Sequence, residues 1–437
     1  MTNPSPAELP ASLAMNRALS KWIVFEPDGH VLARTGKVEL GQGILTALAQ
    51  IVSDELDVLP SRVRVAAAST ERGPDEGYTS GSLSIQQSGA ALRQVCAEVQ
   101  ALCRAAAASV LDVDESELSV TDGLFCAAGS GVSYWQLPTA ELLDRDADGA
   151  AQPKERDHHE RIGQHFPRID LEAKLTGRPS YIGDLQVPGQ LHARVVRPPS
   201  RGATLVSAPT TRIESIPGVR HVVIEADFLA VLADREEVAL KAAQLLATDS
   251  RWQERETLPD SSALERFLAD SPVETRQLYE RRDEDAEPVV AHTLTATFTR
   301  PYLAHASIGT STAIALWQNE TLRIWTHSQG IYQLRSAIAA ALNLPTEAVI
   351  VQHREHAGCY GHNGADDAAY EAALLAMGVP DQPVRVVWSR QDELAWSPLG
   401  PAMRIELQAE LDAGGNVGNW RHEVWSNGHT SRPGSLG

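Results

Sequence analysis

The chain has 437 residues, 43% hydrophobic and 22% charged, an ordinary globular composition with room for about two to four domains and a sizeable core. Its formal net charge of −19 argues against nucleic acid or an anionic membrane as main partner, because both are themselves negative. No stretch reaches the ~18–20 continuous apolar residues of a membrane span, and Met1–Pro10 is Pro-rich and polar, unlike a secretory signal.

Residues 1–20 read as a mobile leader. Trp22-Ile23-Val24-Phe25 reads as a strand, Pro27–His30 as a turn and Val31–Arg34 as a returning strand. In Gly36-Lys37-Val38-Glu39-Leu40 apolar and charged residues alternate, which predicts a further half-buried strand. Gly41 and Gly43 permit a tight turn, and Ile44, Leu48, Ile51, Val52 and Leu56 then recur at helical spacing. A helix start carries unpaired amides and a positive dipole end, so this turn can hold a phosphate. Gln42 and Thr46 add side-chain donors there. Taken alone, the element reads first as an ordinary strand–turn–helix corner.

Arg62–Val65 is the next strand. Then Thr79, Ser80, Ser82, Ser84 and Ser88 crowd five hydroxyls into ten positions before an Ala-rich helix running to about Ala108. A single cap needs one such residue. Two polar loops at helix starts are what a large multi-phosphate ligand requires.

The composition turns charged near 146–166, which predicts a linker; His158 and His159 within it read as solvated surface rather than a metal site. A small α/β unit follows from Arg168, with strands at Leu191–Pro198, Val219–Ile224 and Phe228–Leu232 and a helix through Leu246. Residues 253–290 form a charged connection. From Thr293 come strands at 293–298, 312–316 and 322–325, the run Thr326-His327-Ser328-Gln329-Gly330, a helix over Tyr332–Leu342 and a strand at 349–351. That strand runs into His356-Ala357-Gly358-Cys359-Tyr360-Gly361-His362-Asn363-Gly364, and a helix to Met377 and a strand at 384–388 follow. The four cysteines, Cys96, Cys103, Cys126 and Cys359, form no Cys-x-x-Cys pair or iron–sulfur spacing. A reduced, cytoplasmic thiol pool is the default. Cys96 and Cys103, seven apart on the expected helix, suggest one core-facing side.

These motifs, in this order, resemble the molybdenum-binding large subunits of the xanthine oxidase family of molybdenum hydroxylases, and within it the nicotinate dehydrogenase and isoquinoline oxidoreductase type. Gly41-Gln42-Gly43-Ile44-Leu45-Thr46 resembles the family's Q-G-x-x-T segment around the pterin and its dinucleotide tail. Ser80-Gly81-Ser82 through Ser88-Gly89 resembles its Ser/Gly-rich dinucleotide loop. Lys174, Gly177, Tyr181-Ile182-Gly183-Asp184 and Pro217-Gly218-Val219 fall in the order of its α/β hammerhead domain. Gln329 sits where the family places a glutamine beside the metal's oxo ligand, and Gly358-Cys359-Tyr360-Gly361 resembles the glycine loop facing the molybdenum. The Q-G-x-x-T region precedes the hammerhead here, whereas in xanthine oxidase it follows the glycine loop.

The resemblance implies an α/β (α+β) fold: an N-terminal molybdopterin-binding portion at 1–145, a linker at 146–166, a hammerhead at 167–252, a connection at 253–290 and a further molybdopterin-binding domain at 291–437. It implies a molybdenum–molybdopterin cofactor, in cytosine dinucleotide form, bound through its dithiolene and not through metal-ligating side chains. Gly41, Gln42, Gly43 and Thr46 would hold the pterin or its diphosphate, and Ser80, Gly81, Ser82 and Ser88 the dinucleotide. Gly358, Cys359, Tyr360 and Gly361 would face the metal, and Gln329 would donate to its oxygen ligand. A turn residue satisfying a strand end is the plainer reading of Gln329, and His362 and Asn363 read equally as substrate-lining or turn residues.

The implied reaction is hydroxylation of an N-heteroaromatic, nicotinate-like compound or of an aldehyde, with water as the oxygen source. Electrons would leave through a small [2Fe–2S] subunit and then a cytochrome c subunit. The family's base, a glutamate in a Gly-x-Gly-Glu-Pro segment, has no counterpart, because the sequence contains no Gly-Glu dipeptide. The likeness therefore covers the first half to two-thirds of a complete subunit. Either a second chain would have to supply that glutamate or the chain is truncated, and this chain alone would be inactive. The rival reading is a truncated, non-catalytic relative that binds cofactor or partner only. The expected location is cytoplasmic, or membrane-associated through partners.

Overall fold

The computed structural model describes residues 9–281, 290–361 and 364–428. Among them no helix is long and apolar enough to cross a membrane. The N-terminal body is built on a small sheet of Ile23–Phe25, Val31–Ala33 and Val63–Val65, its first pair antiparallel and its second parallel. The helices Ile44–Glu55 and Ala90–Leu111 pack beside it. The apolar stripe of the first helix buries Ile44, Leu48 and Val52 against Leu92, Val95 and Val99 of the second. Cys96 and Cys103, two turns apart, are buried in the same core as free thiols. Burial pushes Cys103 up to about 12 and Cys96 well above its usual value.

Three expectations change here. The described part of the leader expected at 1–20 is docked, since Leu13 and Leu19 are buried in this same core. Gly36–Leu40 joins no strand ladder. Its amides are taken by side chains instead, Gly36 by Glu76, Lys37 by Thr35, Val38 by Thr79 and Leu40 by Gln42. The stretch at 146–166 is a docked strap rather than a loose linker. The amides of Glu160 and Arg161 donate to Asp54 at 2.9 and 2.6 Å, and that of Lys154 donates to Glu55 at 3.0 Å. Asp54 and Glu55 are buried, and buried carboxylates need such donors, so the polar composition of the strap serves an interior.

The second body is one seven-stranded sheet. Its spatial order is Val349–His353, Thr321–Thr326, Thr312–Gln318, Val384–Val387, Leu191–Val196, Phe228–Ala233 and Val219–Glu225. The boundary expected between 167–252 and 291–437 therefore cuts through a single sheet, since Leu191 and Ala193 pair in parallel with Val384 and Val386. Such pairing between strands remote in sequence leaves no local signal. Helix Ile331–Ala341 makes the crossover between the parallel strands Thr321–Thr326 and Val349–His353. Helix Ala365–Gly378 lies close on the sheet through buried Ala368, Ala369, Ala372 and Ala376.

The two bodies meet along an edge. Val351 donates to Thr70 Oγ1 at 2.9 Å, Thr70 donates back to Val351 O at 3.0 Å and His353 donates to Ala68 O at 2.8 Å. This junction brings the loops at 35–43 and 76–88 up to the strand end at Thr326–Gly330. A third sheet, His292–Arg300, Met403–Leu411 and Val417–Ser426, stands apart and is entirely antiparallel.

Candidate cofactor site

Glu76 organises the floor of the site. Its Oε2 accepts from Thr35 Oγ1 at 2.8 Å, from the Gly36 amide at 2.8 Å and from Ser88 Oγ at 3.0 Å. Lys37, only 1% exposed, donates its ammonium to the carbonyls of Glu76 at 2.6 Å and Tyr78 at 2.9 Å. Burial pushes that ammonium down from its usual value. The first polar loop is thereby pinned to the second.

Thr79 extends the link to a third segment. Its Oγ1 accepts from the Val38 amide at 2.9 Å, its own amide donates to Gln329 O at 2.9 Å, and Gln329 Nε2 donates to Thr79 O at 3.1 Å. Gly330 lets this contact close, because a Cβ there would lie 2.2 Å from carbons of the Tyr78 ring. Ser328 Oγ donates to buried Asp366 and accepts from the Gly330 amide at 3.2 Å, tying the turn to the helix Ala365–Gly378.

The glycine turn at 41–43 is itself capped from within. The carboxylate of buried Glu39 accepts from the amides of Gly41, Gly43 and Leu45 at 2.9, 2.8 and 3.2 Å. Gly41 and Gly43 have φ of +105° and +80°, values that favour glycine. The helix-start amides expected to face a phosphate thus already hold an anion. Gln42 commits its side chain to its own turn, donating to Val38 O at 2.9 Å and accepting from Leu40. Thr46 Oγ1 accepts from Ile169 at 3.2 Å.

Arg168 donates to Gly41 O at 3.1 Å and pairs with Asp170, which also pairs with Lys174, and Lys174 reaches Glu355. Arg168 beside it holds Asp170 well below the usual carboxylate range, while burial pushes Glu355 up. This charged chain runs from the Gly41 turn to the approach of the Gly358 loop.

The two polar loops share one depression of about 390 Å³. Leu40, Gln42, Gly43, Ile44 and Ala47 form one wall, and Thr79, Ser80, Ser82, Ser84 and Ile85 the other. Gly81 and Ser82 both have positive φ, 65° and 58°, in a turn that leaves Ser80 and Ser82 exposed. Ser88, by contrast, is buried on Glu76 and Thr35 and lies outside this lining.

The Gly358 loop is a separate construction. Gly358, Tyr360 and Gly361 have φ of +92°, +58° and +124°. A Cβ on Gly361 would lie 2.7 Å from the His305 ring. Cys359 Sγ donates to Gly361 O at 2.8 Å, and Cys359 O accepts from Ser307 Oγ at 3.0 Å. Beside it the rings of His327 and His356 lie in tilted contact, with centroids 4.4 Å apart and planes 48° apart. His356 Nε2 donates to Thr310 O at 2.7 Å, and His327 Nε2 accepts from the Thr312 amide at 3.2 Å. Burial pushes both imidazoles below their usual value, and His353 to about 3. The loop contributes nothing to the lining of the depression. His362 and Asn363 lie outside the described residues.

Sequence reasoning missed Glu39, Glu76, Lys37 and the histidines. For Glu39 a signal existed, a carboxylate two residues before a Gly-x-Gly turn that opens a helix.

Two stretches of the chain, residues 5–168 and 273–436, match molybdopterin cofactor-binding domain models, and together they cover about three quarters of it. It carries two molybdopterin cofactor-binding domains. A nicotinate dehydrogenase subunit of Pseudomonas putida is 34% identical over 412 residues, which are 92% of this chain and 34% of that protein. The beta subunit of isoquinoline 1-oxidoreductase from Brevundimonas diminuta is 24% identical over 89% of this chain and 56% of its own length. The crystal structure of quinoline 2-oxidoreductase from Pseudomonas putida 86 overlaps 60% of this chain and 39% of its own at 20% identity, with a TM-score of 0.49. The chain belongs to the molybdopterin-binding large subunits of the xanthine oxidase family of molybdenum hydroxylases. It spans between about a third and just over half of the length of these two curated relatives.

Proposed function

We propose that this chain is the cofactor-holding part of a molybdenum hydroxylase that oxidises an N-heteroaromatic, nicotinate-like compound or an aldehyde with water as oxygen source. One observation carries the reading: two polar loops some 40 residues apart in sequence form the two walls of one depression, and Gln329 is bonded to one of them. When bound, the molybdopterin supplies the oxygen-transfer and two-electron chemistry.

The fit to that cofactor is uneven. The hydroxyls of Ser80, Ser82 and Ser84 suit a phosphate-bearing dinucleotide tail, for which the cytosine form is our reading. The amides of Gly41 and Gly43 do not, while Glu39 holds them. The tail therefore belongs on the serine wall. Gly41, Gln42 and Thr46 shape the opposite wall by holding their own neighbours. Gln329, oriented by Thr79, is the side chain assigned to the cofactor's oxygen ligand. Gly358, Cys359, Tyr360 and Gly361 are assigned to its metal side. Lys37 and Glu76 hold the serine wall in register. The stretch at 167–252 is assigned as the hammerhead.

A general base typically contributes ~10²–10⁴-fold, and no Gly-Glu segment is present, so the lone chain is expected to be inactive. The complete enzyme would add a [2Fe–2S] subunit, a cytochrome c subunit and the glutamate segment that these 437 residues lack, in the cytoplasm or at a membrane through those partners. Turnover of nicotinate in ¹⁸O-labelled water tests this. Labelled product from the assembled complex and none from the lone chain is expected; robust turnover by the lone chain, or unlabelled product, would overturn it.

A further inference from the structure

Residues 307–311 form neither helix nor strand, so their backbone groups need partners from elsewhere in the chain. Two elements supply them. One is the helix Arg390–Trp396. Arg390 donates to Ser307 O at 2.7 Å and to Ile308 O at 2.6 Å, and buried Glu393 accepts from the Ser311 amide at 2.8 Å. The Trp388 amide, just before that helix, donates to Ser311 O at 2.9 Å. The other element is the Gly358 loop with its approach. The Gly309 amide donates to Ala357 O at 2.9 Å, Thr310 O accepts from His356, and Ser307 Oγ donates to Cys359 O. Gly309 permits the close approach, since a Cβ there would lie 2.2 Å from His356 Nε2. Apolar burial does not fix the segment, because its one large apolar side chain, Ile308, is 74% exposed.

We infer that Glu393 and Arg390 are positioning residues for the Gly358 loop: they fix residues 307–311, and that segment fixes the loop. Ser311 is fully buried, so without Glu393 its amide is an unpaired donor in the interior. Arg390 sets one planar guanidinium on two successive carbonyls, which fixes direction as well as distance. The loop needs such support. Tyr360 takes a φ of +58° and is 60% exposed, so its own side chain does not pin it. Cys359 O, in the middle of the loop, is held by Ser307, whose own carbonyl Arg390 holds. The bearing of this support on the metal side of the cofactor rests on the reading proposed above; the positioning of the loop does not.

The test alkylates the full chain with iodoacetamide and reads each cysteine by peptide mass spectrometry. Buried Cys359, its Sγ bonded to Gly361 O, reports the loop, and Cys96 and Cys103 report the N-terminal core. Glu393→Leu should speed alkylation of Cys359 at least ~10-fold and leave Cys96 and Cys103 slow, as losing a charged acceptor opens one region only. Glu393→Gln keeps an acceptor oxygen for the Ser311 amide and should restore most of the protection. Arg390 is exposed, so Arg390→Ala keeps the fold even where Glu393→Leu does not, and should speed Cys359 by ~3-fold or more. Unchanged alkylation of Cys359 in the folded variants, or a rise shared by Cys96 and Cys103, would overturn the inference. In the complex purified with its partners, Glu393→Leu should alter the EPR spectrum of molybdenum(V) at unchanged molybdenum content, and Glu393→Gln should not. An unaltered spectrum in Glu393→Leu would overturn the link to the metal side. A parent complex without molybdenum would instead refute the cofactor reading, and alkylation would still decide the positioning of the loop.

Discussion

Thr79 and Gln329, 250 residues apart, hold each other through two hydrogen bonds: the Thr79 amide donates to Gln329 O, and Gln329 Nε2 donates to Thr79 O. This fastens the serine wall of the depression to the second body. Gln329→Leu removes one bond and strands a buried carbonyl. Its expected cost is ~1–3 kcal/mol in denaturant unfolding, with faster proteolysis within 78–84. An unchanged midpoint and cleavage pattern would show that the link is incidental.

Glu39 is an internal anion at a helix start. Glu39→Ala should destabilise the chain by ~1.5–3 kcal/mol, because three amides lose a charged acceptor. The vacated amides should then take inorganic phosphate. Millimolar phosphate is expected to raise the thermal midpoint of the variant and leave that of the parent unmoved. Equal responses would count against a carboxylate-filled anion site.

How much of this was legible in the sequence depends on the range of the interaction. The convergence of the two polar loops was readable, because hydroxyls and glycines crowd two helix starts. The helical spacing from Ile44 and the seven-residue step from Cys96 to Cys103 reported a buried face directly. What the side chains at those loops bond to was not readable. Alternation made Val38 and Glu39 look like a strand, whereas Glu39 caps and Val38 bonds Thr79. Ser88 looked like a ligand residue and is a core partner of Glu76. The strap at 146–166 looked solvated because its bonds to buried Asp54 and Glu55 are non-local.

Acid should loosen the histidine cluster beside the Gly358 loop. Burial depresses His353 to about 3 and His327 well below its usual value, so both are neutral in the fold. The unfolded chain takes up a proton near pH 6.5 on each, so their contribution is complete above that pH and falls as pH drops toward 3. Each costs up to ~1.4 kcal/mol per pH unit within that window. Urea midpoints between pH 7.5 and 4.5 should fall with acid, and less steeply in His353→Phe. Parallel slopes would contradict the assignment.

Gly330→Ala places a methyl group against the Tyr78 ring, and overpacking of this kind costs ~1–3 kcal/mol. Tyr78→Ala in the same chain opens the space. A double-mutant cycle should show the two changes coupled by at least ~0.5 kcal/mol, and additive effects would deny the contact.

The most direct test of the cofactor site is the cargo of the protein purified with its partners from molybdate-fed cells. Molybdenum by mass spectrometry and the nucleotide released by acid should each approach one per chain. Both should fall together, without loss of partner subunits, in the triple variant Ser80→Ala, Ser82→Ala, Ser84→Ala. A complex free of molybdenum and nucleotide, or a triple variant that retains both in full, would contradict the site described here.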